Sequence, residues 1–232
     1  MMSFAENYQT VQRKMDEASK ASGRNLSDIQ LIVVTKNQTV EAVKEAYNAG
    51  CSVFGESKIQ EAEDKIPLFP DCQWHLIGSL QKNKVGKALS LFNVIHSVDS
   101  VPLAQKISKL SVKPVSILLE VNISGEASKH GMSPDQWERE LDAIHLPNLK
   151  VIGLTTMAPF TQNEKIIRPC FKQLHDLLYK WKGKMVDPSA FKELSMGMSN
   201  DYSIAIQEGA TMIRLGTALF NGFDKNRKMY YN

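Results

Sequence analysis

A (β/α)8 TIM barrel preceded by one extra N-terminal helix is the fold this sequence predicts, and three observations carry that expectation. Short apolar runs alternate with amphipathic segments from Gln30 onward, the pattern of parallel strands covered by helices. About eight such strand-then-helix units fit within 232 residues, close to the length this barrel requires. No Gly-x-Gly-x-x-Gly run follows the first strand candidate, which argues against an open doubly wound sheet.

The opening helix carries Phe4, Tyr8, Val11, Met15 and Ala18, spaced by three and four residues, and Gly23 ends it. Strands are expected over Gln30–Thr35, Ser52–Gly55, Trp74–Gly78, Val94–Val98, Val115–Asn122, Lys150–Thr155, Glu193–Met196 and Thr211–Leu215. Helices are expected over Val40–Asn48, Lys58–Ile66, Leu80–Leu91, Pro102–Leu110, Pro134–Ile144, Glu164–Trp181 and Asp201–Gln207, with Thr217–Phe223 closing the barrel. Ser133 before Pro134 and Asp135 marks a helix start: an N-cap, then a proline whose missing N–H costs nothing there. The longest irregular piece lies around Ala158 to Asn163. No linker or composition break appears, so residues 1–232 read as one domain.

A net charge of +3 is too small to argue for nucleic acid or an anionic membrane. No apolar run is long enough to span a bilayer, and the first residues do not read as a secretory signal. Cys51, Cys72 and Cys170 are odd in number and lack zinc-ligand spacing. Buried thiols in a cytoplasmic protein are the expectation.

Barrel chemistry gathers at the C-terminal ends of strands. Those ends supply Lys36; Gly55, Glu56 and Ser57; His75, Gly78 and Ser79; Ser97 and Asp99; Asn122; Thr155 and Met157; Gly197 to Ser199; and Arg214 to Thr217. Lys36 ends the apolar run Leu31-Ile32-Val33-Val34. A strand buried on both faces would place its amine near low-dielectric surroundings, lowering its pKa and suiting it to imine formation. The other reading is a lysine that snorkels into solvent. Ser199 precedes one helix start and Gly216-Thr217 opens another, at the two turns where a barrel commonly holds a phosphate. Alternatively, Ser199 only caps its helix. Arg214, two residues before Gly216, either pairs with a carboxylate or donates to a ring nitrogen. Lysine, cradle and arginine in one mouth point to pyridoxal phosphate.

The blocks Phe54-Gly55-Glu56-Ser57-Lys58-Ile59-Gln60-Glu61, Trp74 to Lys84 (WHLIGSLQKNK), Leu194 to Asp201 (LSMGMSND) and Ile213 to Phe220 (IRLGTALF) resemble, in order, those of the pyridoxal-phosphate homeostasis protein family. The resemblance spans essentially the whole chain. It implies a barrel like the N-terminal domain of alanine racemase, with pyridoxal 5'-phosphate held on Lys36 as an internal aldimine. It implies that Arg214 faces the pyridine nitrogen and that Ser199, Gly216 and Thr217 bind the phosphate. Ser57, Asn122 and Met157 are the further strand-end candidates for contact with the cofactor. Ser57 stands where the family usually has asparagine, so an amide contact from that position is lost.

A carrier or regulator of the vitamin B6 pool is therefore the expected function, as a cytoplasmic monomer whose partners are the cofactor, amino acids or apoenzymes that use it. An amino-acid racemase or lyase on the same cofactor is the alternative, and a class I aldolase working through Lys36 is a further one. His75, beside Trp74, reads as a packed, hydrogen-bonded histidine. His130 lies on a loop. His96, His145 and His175 show no partner in the sequence. The tail after Phe223, with Lys225, Arg227 and Lys228, reads as a solvated end.

Overall fold

The computed structural model describes residues 3–126 and 129–221. Its first element, α1 (Phe4–Ala21), starts at a capping box in which Ser3 and Glu6 satisfy each other's backbone N–H groups. It ends where Gly23 takes φ +68°, a left-handed conformation suited to a residue without Cβ. The strands are β1 (Gln30–Val34), β2 (Val53–Glu56), β3 (Gln73–Leu76), β4 (Val94–Val98), β5 (Val115–Glu120), β6 (Leu149–Thr155), β7 (Glu193–Ser195) and β8 (Met212–Leu215). Between them run α2 (Val40–Asn48), α3 (Ile59–Lys65), α4 (Val85–Leu91), α5 (Val101–Leu110), α6 (Pro134–Glu140), α7 (Glu164–Lys182) and α8 (Tyr202–Gln207). The last described helix is α9 (Thr217–Phe220).

All eight strands are parallel and close in sequence order, with β8 hydrogen-bonded to β1 over Gln30↔Met212 to Val33↔Leu215. The barrel expectation is thus met and the open sheet is excluded. Two expected helices are shorter because their ends tighten into 3-10 turns. Lys82–Lys84 is such a turn before α4, and Leu141–Ile144 another after α6. The expected end of the closing helix, Phe223, lies outside the described residues.

Apolar side chains from the strands' outer faces and the helices' inner faces make a ring-shaped core. Trp74, Trp137 and Trp181 are fully buried in it, and Phe54 stacks 5.0 Å from Trp74 between β2 and β3. The extra helix α1 packs its Phe4, Val11 and Met15 stripe against α8 and α9. Its buried Asn7 donates to the Leu219 carbonyl at 2.9 Å, tying the first helix to the last.

The barrel interior is polar towards the mouth. Glu56, His75, His96, Ser195 and Arg214 come from β2, β3, β4, β7 and β8, and all are buried. The three cysteines are buried free thiols, as expected. Among the described residues no helix is long and apolar enough to cross a membrane.

Candidate functional site

The two turns expected to form a cradle are joined to each other. Ser199 does not cap α8; Asp201 holds that position, and its carboxylate accepts from the Met198 N–H at 2.6 Å. Ser199 Oγ instead accepts from Ala218 N at 3.1 Å, in the first turn of α9. A Cβ at Gly216 would stand 3.2 Å from the Val34 carbonyl oxygen, a tight contact. The cradle is therefore pressed against the end of β1, the strand that leads into Lys36.

Of the two readings of Lys36, the structure shows the solvent-reaching one. It is exposed, in the turn after β1, and the last buried residue is Thr35. The next residue, Asn37, adopts φ +59°, a left-handed conformation in the turn that follows β1. The buried lysine of this region is Lys65 on α3, which sequence reasoning missed. Its Nζ donates to Glu56 Oε1 at 2.6 Å and to the Thr35 carbonyl at 2.7 Å. Thr35 Oγ1 also donates to Glu56 Oε1 at 2.7 Å, and Ser57 N to Glu56 Oε2 at 3.2 Å. On the far side of Lys36, Asn37 N donates to Glu61 Oε2 at 2.7 Å. Both neighbours of Lys36 are thus clamped from below, and the lysine is the free end of a fixed turn. Nothing in the sequence spacing marks Lys65, because the pair forms only when α3 folds back over β2.

Arg214 is buried with no carboxylate partner among the described residues. Nη1 donates to Thr155 Oγ1 (3.1 Å), the Ser195 carbonyl (2.7 Å) and Ser195 Oγ (2.5 Å), and Nη2 donates to the Thr156 carbonyl (3.0 Å). None of these bonds uses Nε. Burial pulls its pKa down from the usual value, while Asp201 and Glu120 act to hold it up.

Beyond Ser195 the polar contacts continue. Ser195 Oγ lies 2.9 Å from His96 Nδ1, and His96 Nε2 lies 2.9 Å from His75 Nδ1. Because β4 and β7 are not neighbours, the Ser195–His96 contact must cross the barrel interior. His75 is packed and bonded as expected; His96, which the sequence left without a partner, has two.

Burial pushes the His75 pKa down to about 4 and that of His96 well below its ordinary value. An unfolded imidazole binds its proton below about pH 6.5, whereas the folded protein refuses it until lower pH. The unfolded state therefore holds more protons in that window, and folding stability declines as pH falls from about 6.5 towards 4. Urea unfolding should show a lower midpoint at mildly acidic than at neutral pH, with the dependence reduced in His75→Asn; a flat profile in the parent protein contradicts it.

The remaining candidates divide. Ser57 is half-buried after β2, and Gly78 is needed beside it, since a Cβ there would lie 2.3 Å from the Ser57 carbonyl oxygen. Asn122 spends its amide on its own loop, donating to the Glu126 carbonyl at 2.9 Å and accepting from Ser124 Oγ and Gly125 N. Met157 is partly exposed, and its carbonyl accepts from Lys129 Nζ at 3.2 Å. Glu120, which the sequence did not single out, ends β5 in a small recess with His130, Lys129 and Met157. Its carboxyl is pushed up by burial and by Asp99, against the pull of His130 and Arg214. A second cavity of about 240 Å³ lies at the strand starts, lined by Tyr8, Gln12, Gln30 and Cys51 among others, and holds none of these residues.

The family of the alanine racemase N-terminal domain matches residues 2–223. A pyridoxal phosphate homeostasis protein of Pseudomonas aeruginosa is 37% identical over 230 residues, covering 97% of each chain. The chain belongs to the pyridoxal phosphate homeostasis protein family. The same-named protein of Aquifex aeolicus is 36% identical over 94% of this chain and 98% of its own. PipY of Synechococcus elongatus, solved with pyridoxal phosphate bound, superposes with a TM-score of 0.81 at 32% identity, over 94% of this chain and 99% of its own. For a homeostasis protein of this family, Gly216 of the cradle, the buried arginine and the rim lysine lie on or just past two hydrogen-bonded neighbours, β8 and β1, while Ser199 joins them from the turn after β7.

Proposed function

We propose that this chain binds pyridoxal 5'-phosphate in the barrel mouth and keeps it in reserve for vitamin B6 homeostasis, without turning over a substrate. The observation that carries this reading is the adjacency of Lys36, Gly216 and Arg214 around the β1–β8 seam, where the Gly216 backbone meets the end of β1. When bound, the cofactor supplies an aldehyde that condenses reversibly with an amine and releases water. Lys36 offers that amine on a turn held by Glu56, Lys65 and Glu61. Ser199, Gly216 and Thr217 would hold the phosphate at backbone N–H groups. Arg214, whose Nε makes none of the bonds described above, would face the ring, and Ser57 and Met157 would border the mouth. Asn122 serves by holding the loop that carries Lys129 and His130.

Arg214 supports a carrier role. A fixed positive charge disfavours protonation of a facing pyridine nitrogen, and a neutral pyridine draws electrons poorly from a substrate α-carbon. The cytoplasm is its place of action, as a monomer, and release to apoenzymes or exchange with amino acids is its use. Borohydride reduction of protein loaded with the cofactor, then peptide mass mapping, should place a pyridoxyl adduct on Lys36 and none after Lys36→Ala. No exchange of amino-acid α-protons should occur in deuterated water. An adduct elsewhere, or exchange that depends on Lys36, overturns the corresponding half of the proposal.

A further inference from the structure

The chain Arg214–Ser195–His96–His75 has one chemically consistent direction. Ser195 Oγ accepts a proton from Arg214 Nη1, so its own proton is left to donate, and the atom beside it is His96 Nδ1 at 2.9 Å. If His96 were protonated at Nδ1 instead, two donors would converge on Ser195 Oγ. Its hydroxyl proton would then face no other acceptor among the described residues. With Nδ1 accepting, neutral His96 carries its proton on Nε2, which donates to His75 Nδ1 at 2.9 Å. His75 then carries its proton on Nε2, the atom that is buried without a partner.

Electrostatics selects the same direction. Each dipole in this order turns its negative end towards the guanidinium, which has no carboxylate in hydrogen-bond contact among the described residues, whereas the reverse order turns every positive end towards it. The chain ends at His75, which is 1% exposed and whose Nε2 has no hydrogen-bond partner among the described residues.

Resting on the reading of the mouth as a pyridoxal phosphate site, we infer that His96 and His75 are positioning residues for Arg214. Both are held as Nε2–H tautomers, and together with Ser195 they orient the guanidinium, which has no hydrogen-bonded carboxylate among the described residues and feels Asp201 and Glu120 only at longer range. Burial, which keeps both imidazoles neutral at ordinary pH, supports this assignment.

Side-chain ¹⁵N correlation spectra of the protein without cofactor test it directly. Both residues are expected as neutral Nε2–H tautomers from mildly acidic to neutral pH. A proton on Nδ1 of either ring, or an imidazolium, overturns the inference. Substitutions give the second readout. His75→Asn keeps an acceptor where Nδ1 stood, His75→Phe removes it, and His96→Phe cuts the chain. His96→Phe and His75→Phe should weaken pyridoxal phosphate retention about tenfold and shift the visible absorption of the loaded protein, while His75→Asn stays within about twofold of the parent. Equal losses in His75→Asn and His75→Phe, or no change in His96→Phe, overturn it. If the parent protein fails to retain the cofactor at all, it is the proposed function that fails, and the spectra alone then judge the tautomers.

Discussion

Replacing Glu56 with glutamine is expected to remove about 3 kcal/mol or more of folding stability, a large share of what a domain of this size possesses. Glu56 is fully buried, and its two oxygens accept from Lys65, Thr35 and Ser57. A glutamine amide has one donor face, and either orientation directs N–H groups at another donor: at Lys65 and Thr35, or at the Ser57 N–H. The Lys65 ammonium is left buried with only the more distant Glu61, at 3.6 Å, to balance it. The double variant Glu56→Gln/Lys65→Met removes both charges and should recover most of the loss, since an uncompensated charge costs more than an absent pair. Urea unfolding of the two single variants and the double variant measures this. Strictly additive losses contradict the coupling. Because Thr35 and Ser57 flank the mouth, the single variant should also retain pyridoxal phosphate less well, in line with Lys36 depending on a fixed turn.

Gly153→Ala is expected to be as damaging for a different reason. A Cβ at Gly153 would lie 1.9 Å from the Glu193 carbonyl oxygen and within 3 Å of two more backbone atoms of that residue. No rotamer relieves a clash with backbone, so β6 and β7 must part. The seam is thin here: β7 has three residues, and its registered pairing to β8 is Ser195↔Met212. Forcing the strands apart also displaces Thr155 and Ser195, which hold Arg214. A loss of about 3 kcal/mol or more is expected, at the upper end of overpacking costs. Gly86→Ala provides the contrast, because Gly86 is in α4 and nothing lies within 4 Å of its missing Cβ. It should be neutral or stabilise by up to about 1 kcal/mol, through the smaller entropy of the unfolded chain. Thermal or urea unfolding separates the two; similar effects from both would show that the β6–β7 contact is not the cause.

Much of the fold is legible locally. Val94–Val98 and Val40–Asn48 are read to the residue, because the alternation of short apolar runs with amphipathic segments is a statement about neighbours in sequence; the Thr39 cap of α2 is added by the structure. The Ser133 cap is read for the same reason, and the structure adds the reciprocal bond that the Ser133 N–H donates to Gln136 Oε1. The register of β6 is not legible. The irregularity between its pairings to Ile117 and Leu118 arises from fit to two flanking strands.

For the site, composition at strand ends named the mouth, since parallel strands in a closed barrel must deliver all their C-terminal ends to one face. Lys36, Ser199, Arg214 and Gly216 were readable on that ground. What each side chain touches was not. The turn that exposes Lys36, the α3 lysine beneath it, and the His96 contacts to β3 and β7 depend on groups brought together from distant parts of the chain.

By itself, then, the sequence determined the barrel, its order of elements and the residues at its mouth, because periodicity and capping act over a few residues. Only the tertiary structure decided which lysine is buried, which serine bridges the cradle and what balances Arg214. Those outcomes are set by closure of the sheet, which brings non-neighbouring strands within hydrogen-bond reach and removes the water that would otherwise solvate their charges.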